Sequence, residues 1–256
     1  SARVAALLSR SQRPPASAAA PAKAGKILGF YGAKGGTGVT TIALNIAALL
    51  AQQKKTVILA DLRGSYGTLS AHLKWTPAEN FAQLFDLTPS QIDERAVNAR
   101  VFSTSFGVKV LFGPQRIEEF REPSAETIRA TIKQLAAMAE YVVLDIQSGD
   151  SLAIEATLRA CDLVSVVLEP EPTCIQAAKV ALELLRAWGI SGNLVSAVIS
   201  NRSGMTTGAN LREIRAQLGC EIVGVVPFAS EACTAALTLK EMAARLTAAT
   251  LIGIRL

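Results

Sequence analysis

A single histidine, His72, in 256 residues leaves no imidazole pair for a zinc site and makes a histidine-based catalytic triad a poor expectation. The four cysteines, Cys161, Cys174, Cys220 and Cys233, stand far apart with no C-x-x-C pair. They read as small buried side chains in a reducing compartment, not as a disulfide frame or a metal site. No apolar run approaches the roughly 18 residues that span a bilayer. Ser1 opens the chain without a secretory pattern, so the expectation is a soluble, cytoplasmic protein that is a piece of something longer.

An excess of charge is also missing once it is located. The formal charge is +5, but Arg3, Arg10, Arg13, Lys23 and Lys26 account for all of it, with no acid among residues 1–26. The remaining 21 basic and 21 acidic residues cancel. The basic excess therefore belongs to an N-terminal extension, and a solvated linker explains it more simply than DNA binding does. Residues 11–25, with Pro14, Pro15 and Pro21 among many alanines, bury little and read as that linker; Val4, Leu7 and Leu8 have the spacing of a short helix before it.

What is present is a core. Half the residues are hydrophobic, enough for one α/β domain over 26–256. Nearly continuous apolar runs predict strands at 27–31, 56–60, 108–112, 141–146, 163–168, 194–200 and 222–226, as expected for a parallel sheet buried on both faces. Helical patterns separate them at 40–52, 125–139, 173–188 and 211–218. Ser124 and Thr127 suit an N-terminal cap, and Gly189 and Gly219 suit C-caps. Residues 67–100 are helical in part but weakly patterned, and 231–246 suggest one or two helices. Repeating βα units imply a doubly wound, mainly parallel sheet with helices on both faces, with ligands bound beyond the carboxyl ends of the strands.

Four clusters fall at those strand ends. The first is Phe30-Tyr31-Gly32-Ala33-Lys34-Gly35-Gly36-Thr37-Gly38-Val39-Thr40-Thr41, a glycine-rich turn between a strand and a helix. Such turns let backbone N–H groups converge on phosphate, aided by the helix N-terminus. The usual loop ends Gly-Lys-Ser/Thr; here Val39 stands in place of the lysine. The second is an apolar strand ending in Asp61, followed by Leu62 and Arg63. That acid suits orienting water or a Mg²⁺-bound water, and taken alone serves equally as a cap. The third, Tyr141-Val142-Val143-Leu144-Asp145, has the apolar run and terminal acid of a Walker B strand. The fourth is Ser200-Asn201-Arg202 together with Pro227-Phe228, an amide able to read an adenine edge and a segment able to pack on its face. Alone, it reads as a polar strand end and a turn proline.

The order of these clusters resembles the deviant Walker A ATPases of the MinD/ParA superfamily over residues 26–250. The lysine before paired glycines, Lys34-Gly35-Gly36-x-Gly38, carries the likeness. Within the superfamily the loop, the Ser200-Asn201-Arg202 segment and the proline-rich linker are most similar to the CpaE/TadZ branch of Flp-type (tight adherence) pilus-assembly proteins, in which a receiver-like domain commonly precedes the ATPase. The resemblance implies ATP or ADP with Mg²⁺. Lys34 would contact phosphate across an ATP-sandwich homodimer, and Gly35, Gly36, Thr37, Gly38, Val39, Thr40 and Thr41 would cradle phosphate. Thr40 and Asp145 would hold the metal, Asp61 would be the first acid of a D-x-D element, and Asn201, Arg202, Pro227 and Phe228 would frame the base. It also implies pilus or secretion assembly partners, with a position at the cell pole or the inner face of the membrane reached through them.

Two departures alter that expectation. Val39 removes a cation from beside the phosphates, and Arg63 replaces the second acid of D-x-D, so weak or absent hydrolysis is expected. A nucleotide-free scaffold is the alternative, and a ParA-like DNA-partition ATPase is a third reading that the neutral charge balance disfavours. The apolar tail Ala249–Leu256, interrupted by Gly253, is expected to pack on the domain and not to enter a membrane.

Overall fold

The computed structural model describes residues 24–202 and 211–227. The N-terminal linker, Phe228, Cys233 and the C-terminal helices and tail expected from the sequence lie outside the described residues.

Eight strands form one sheet: β1 (Lys26–Gly32), β2 (Val57–Asp61), β3 (Val101–Ser103), β4 (Val108–Leu111), β5 (Tyr141–Ile146), β6 (Leu163–Leu168), β7 (Val195–Ser200) and β8 (Glu221–Val226). The spatial order is β3-β4-β2-β5-β1-β6-β7-β8. Only the β3–β4 pair is antiparallel. The helices are α1 (Val39–Gln52), α2 (Leu69–Leu73), α3 (Glu94–Asn98), α4 (Ala125–Met138), α5 (Leu152–Arg159), α6 (Pro172–Ala187) and α7 (Leu211–Leu218).

The central strands alternate their side chains between two apolar layers. One layer joins Leu28 and Phe30 of β1 to Ile42, Leu44, Ile46 and Leu50 of α1. The other joins Tyr31, Val142, Leu144 and Val166 to helices α3 to α7, through residues such as Ile128, Leu135, Leu182 and Ile214. Each such Leu or Ile, fully buried, contributes about 1.5–3 kcal/mol relative to exposure. Burial on both faces explains why these strands read as unbroken apolar runs.

Helix ends follow their residues. Ser124 Oγ accepts from Thr127 N at 3.0 Å, capping α4. Gly189 and Gly219, at φ 75° and 64°, end α6 and α7 in the left-handed region. Two elements were absent from the sequence reading. The edge strand β3 has three residues, none fully buried, too short for a period-2 signal. Helix α5 has eight residues and relies on Ser151, whose Oγ accepts from Ile154 N. Residues 67–100 hold α2, α3 and a 3-10 turn at Phe81–Leu84. Local caps define much of that segment: Asn80 Oδ1 accepts from Ala82 N, and Asp93 Oδ1 accepts from Ala96 N.

β1 lies between β5 and β6, both parallel to it. From its end the chain enters α1 and leaves for β2 on the far side of β5. The glycine-rich turn therefore sits at the switch point of the sheet, where a crevice opens above the strand ends.

Candidate nucleotide site

The turn after β1 is built for close approach. Gly36 and Gly38 have φ of 84° and 90°, a conformation that L side chains rarely adopt. Thr37 is buried, and its hydroxyl donates to Lys34 O at 3.3 Å. Ile42 N donates to Gly38 O, which starts α1 directly from the turn. Val39, where a lysine was looked for, packs against the apolar layer under α1. A Cβ built on Gly32 would lie 3.1 Å from its Cγ2. Val39 thus sets a partly buried apolar side chain against that layer where the cation would stand.

Two cations stand at the loop, Lys34 within it and Arg202 from the end of β7. Lys34 pairs with Glu171, just ahead of α6; both side chains are about two-fifths exposed. The Glu171 hydrogen bond holds the Lys34 ammonium above its ordinary range. Arg202, after β7, spans the loop: its Cδ is 3.5 Å from a Cβ built on Gly38, and its Nη1 is 4.0 Å from one built on Gly36. Arg202 Nη1 also faces Glu169 Oε1 at 3.5 Å.

Asp61 and Asp145 are register partners at the ends of β2 and β5. Both are buried. Arg63 joins them: its Nε donates to Asp61 Oδ1 at 2.5 Å and its Nη2 to Asp145 Oδ2 at 3.0 Å. The same Asp145 oxygen accepts from Thr40 Oγ1 at 2.8 Å, and Thr40 Oγ1 also meets Thr68 Oγ1 at 3.1 Å. Burial pushes the Asp61 carboxyl up to about 7, against the opposing pull of Arg63 and with a further push from Asp145. Burial likewise raises Asp145, while Arg63, the Thr40 hydroxyl and His72 oppose it. One oxygen of each acid, Asp61 Oδ2 and Asp145 Oδ1, has no hydrogen-bond partner among the described residues.

This cluster is a poor cradle for the Mg²⁺ expected from the sequence. Mg²⁺ takes oxygen ligands in a near-octahedral set and is drawn by carboxylate charge. Here a guanidinium, fixed at +1, already touches both acids and cancels one of their two charges.

At the other end of the crevice Asn201 N donates to Val226 O, tying the end of β7 to that of β8. The Asn201 side-chain Oδ1 is buried without a partner among the described residues. Pro227 follows β8 and is exposed. The structure therefore gathers Lys34, the loop, Thr40, Asp61 and Asp145 near the central strand ends, and sets Asn201, Arg202 and Pro227 beyond β7 and β8. Sequence reasoning missed Glu171, which lies 137 residues from Lys34 and carries no local motif. It also read Arg63 only as a lost acid. A charged residue two positions beyond a buried strand-end acid was the available signal for its pairing.

A parallel sheet with a glycine-rich loop and helix N-terminus at its switch point defines a mononucleotide-binding α/β domain. The chain belongs to the CobQ/CobB/MinD/ParA nucleotide binding domain family, whose model matches residues 28–241. It is 26% identical to an uncharacterized ATP-binding protein of Methanocaldococcus jannaschii over 196 residues, 76% of this chain and 71% of that protein. A ParA family ATPase from Chlorobium tepidum superposes with a TM-score of 0.77 at 21% identity, over 89% of this chain and 93% of that one. The septum site-determining protein MinD complexed with Mg-ADP, from Pyrococcus horikoshii, gives 0.71 at 18% identity, over 87% and 93%. At these identities the structural likeness establishes the fold. No described helix is long and apolar enough to cross a membrane.

Proposed function

We propose that this chain is an ATP-binding, dimerising assembly protein of the CpaE/TadZ branch, serving a Flp-type pilus system from the inner face of the membrane through partner proteins, and that it holds ATP with slow or absent hydrolysis. The observation that carries the reading is the state of the two acids. A hydrolase needs a charged group to orient the attacking water, whereas Asp61 and Asp145 each give one oxygen to Arg63, whose charge opposes theirs.

Binding draws on other parts. The turn at Gly36 and Gly38 presents backbone N–H groups from Gly35 to Thr41 to phosphate oxygens, reinforced by the N-terminus of α1. Arg202, lying across the loop, supplies the cation that Val39 does not. Asn201, whose buried Oδ1 has no partner among the described residues, accepts from the adenine amino group, and Pro227 packs beside the base. Lys34 exchanges Glu171 for the nucleotide of a second copy. An exposed ion pair holds such a side chain only weakly, so nucleotide and dimer form together.

A titration with a fluorescent ATP analogue, followed by sedimentation of the complex, tests this. Saturable binding with a nucleotide-dependent dimer is expected, with Lys34→Ala binding as a monomer. Failure to bind at millimolar analogue would favour a scaffold without nucleotide. Salt-sensitive retention on duplex DNA would favour a partition ATPase instead.

A further inference from the structure

We propose that Arg63 is a built-in cation that takes the place of the divalent metal, so that the site accepts a nucleoside polyphosphate free of metal. The inference rests on the nucleotide-binding reading above. It starts from one oxygen. Asp145 Oδ2 accepts both Thr40 Oγ1, from the first turn of α1, and Arg63 Nη2. The hydroxyl at the phosphate loop and the guanidinium are therefore neighbours across a single carboxylate atom, which is where a metal held by Thr40 and Asp145 was expected.

The guanidinium is fixed in that place. Its Nε is held by Asp61, its Nη2 by Asp145, and its side chain is 10% exposed. A buried arginine paired with two acids cannot lose its proton and resists withdrawal, because leaving strands two carboxylates in the interior. Arg63 gives Nε to Asp61 and Nη2 to Asp145, and a guanidinium carries five N–H donors, so donors remain for an anion. A phosphate oxygen arriving beside Thr40 would lie next to the carboxylate that Arg63 holds, with Arg202 over the loop at Gly36 and Gly38. Guanidinium forks bind phosphate bidentately and need no divalent ion to neutralise it. A metal–nucleotide complex, by contrast, would bring its cation against that guanidinium.

Equilibrium binding of a fluorescent ATP analogue to the wild-type chain in EDTA and in excess Mg²⁺ tests the inference. Affinity in EDTA equal to or tighter than in Mg²⁺ is expected. Arg63→Gln should weaken binding in EDTA by about tenfold or more, with Mg²⁺ recovering part of the loss. Because that variant risks misfolding, paramagnetic resonance of Mn²⁺ added to the wild type with the analogue is the second measurement. Mn²⁺ remaining free in solution, beyond what the analogue itself binds, supports the inference. Wild-type binding that collapses in EDTA, or Mn²⁺ immobilised on the protein–nucleotide complex, would overturn it while leaving nucleotide binding intact. No binding under either condition would overturn both.

Discussion

Asp61 and Asp145 stand side by side on adjacent parallel strands, and the guanidinium of Arg63 takes one oxygen from each. The pair closes the carboxyl ends of β2 and β5 over the apolar layer, so it concerns stability as well as function. Removing Arg63 leaves two buried acids unpaired. Arg63→Ala is expected to cost about 3–5 kcal/mol, the range for breaking a buried ion pair from one side. The urea midpoint of the variant measures it, and a loss below about 1 kcal/mol would mean the acids find other partners or protonate without penalty.

The same pair sets a pH dependence. Burial raises the folded Asp61 to about 7, above its ordinary value near 4. A raised carboxyl binds its proton more tightly folded than unfolded, so its contribution is present at low pH and fades as pH climbs from about 4 to about 7. Stability of the wild type should therefore fall across that window. Asp61→Asn removes this group's slope, and denaturant midpoints at either end of the window compare the two chains.

Lys34 and Glu171 form an exposed pair within one chain. Glu171→Ala leaves Lys34 without that partner and is expected to raise nucleotide-dependent dimerisation. Lys34→Ala is expected to abolish it, and neither should move the thermal midpoint. Sedimentation velocity with and without ATP reads the effect. Equal dimer fractions in all three chains would remove Lys34 from the interface.

Asn201 carries a buried oxygen with no partner among the described residues. Asn201→Ala should cut ATP affinity by about tenfold, as expected for one lost hydrogen bond in a site built to make it. GTP, which lacks the adenine amino group, should be affected less. Competition of ATP and GTP against one fluorescent analogue separates the two.

The parallel core was readable because strands buried on both faces leave unbroken apolar runs, as at Tyr141–Ile146, whose bounds match the observed strand. β3 escaped because three edge residues, two half-buried and one exposed, make no period. The helices within 67–100 were expected without bounds, because Asn80 and Asp93 fix that segment through single hydrogen bonds instead of a repeating face. At the site, Lys34, Thr40 and Asp145 were visible as motif positions. The Arg63 bridge was visible only as a departure from pattern, since contact between positions 63 and 145 depends on β2 pairing with β5. Glu171 needed the full topology. Val39 shows the remaining gap: the sequence marks the absent lysine, and only packing shows that its substitute belongs to the core.

The central claim, that this domain holds ATP and turns it over slowly or not at all, is tested most directly by recovering the nucleotide from the protein after an incubation spanning many turnovers of a working ATPase. Chain loaded with ATP carrying a labelled γ-phosphate is isolated, denatured and separated into ATP, ADP and phosphate. The account expects intact ATP, in EDTA and in Mg²⁺ alike. Bound ADP with released phosphate, formed in Mg²⁺ and lost in EDTA, would contradict it and return Asp61 and Asp145 to catalysis.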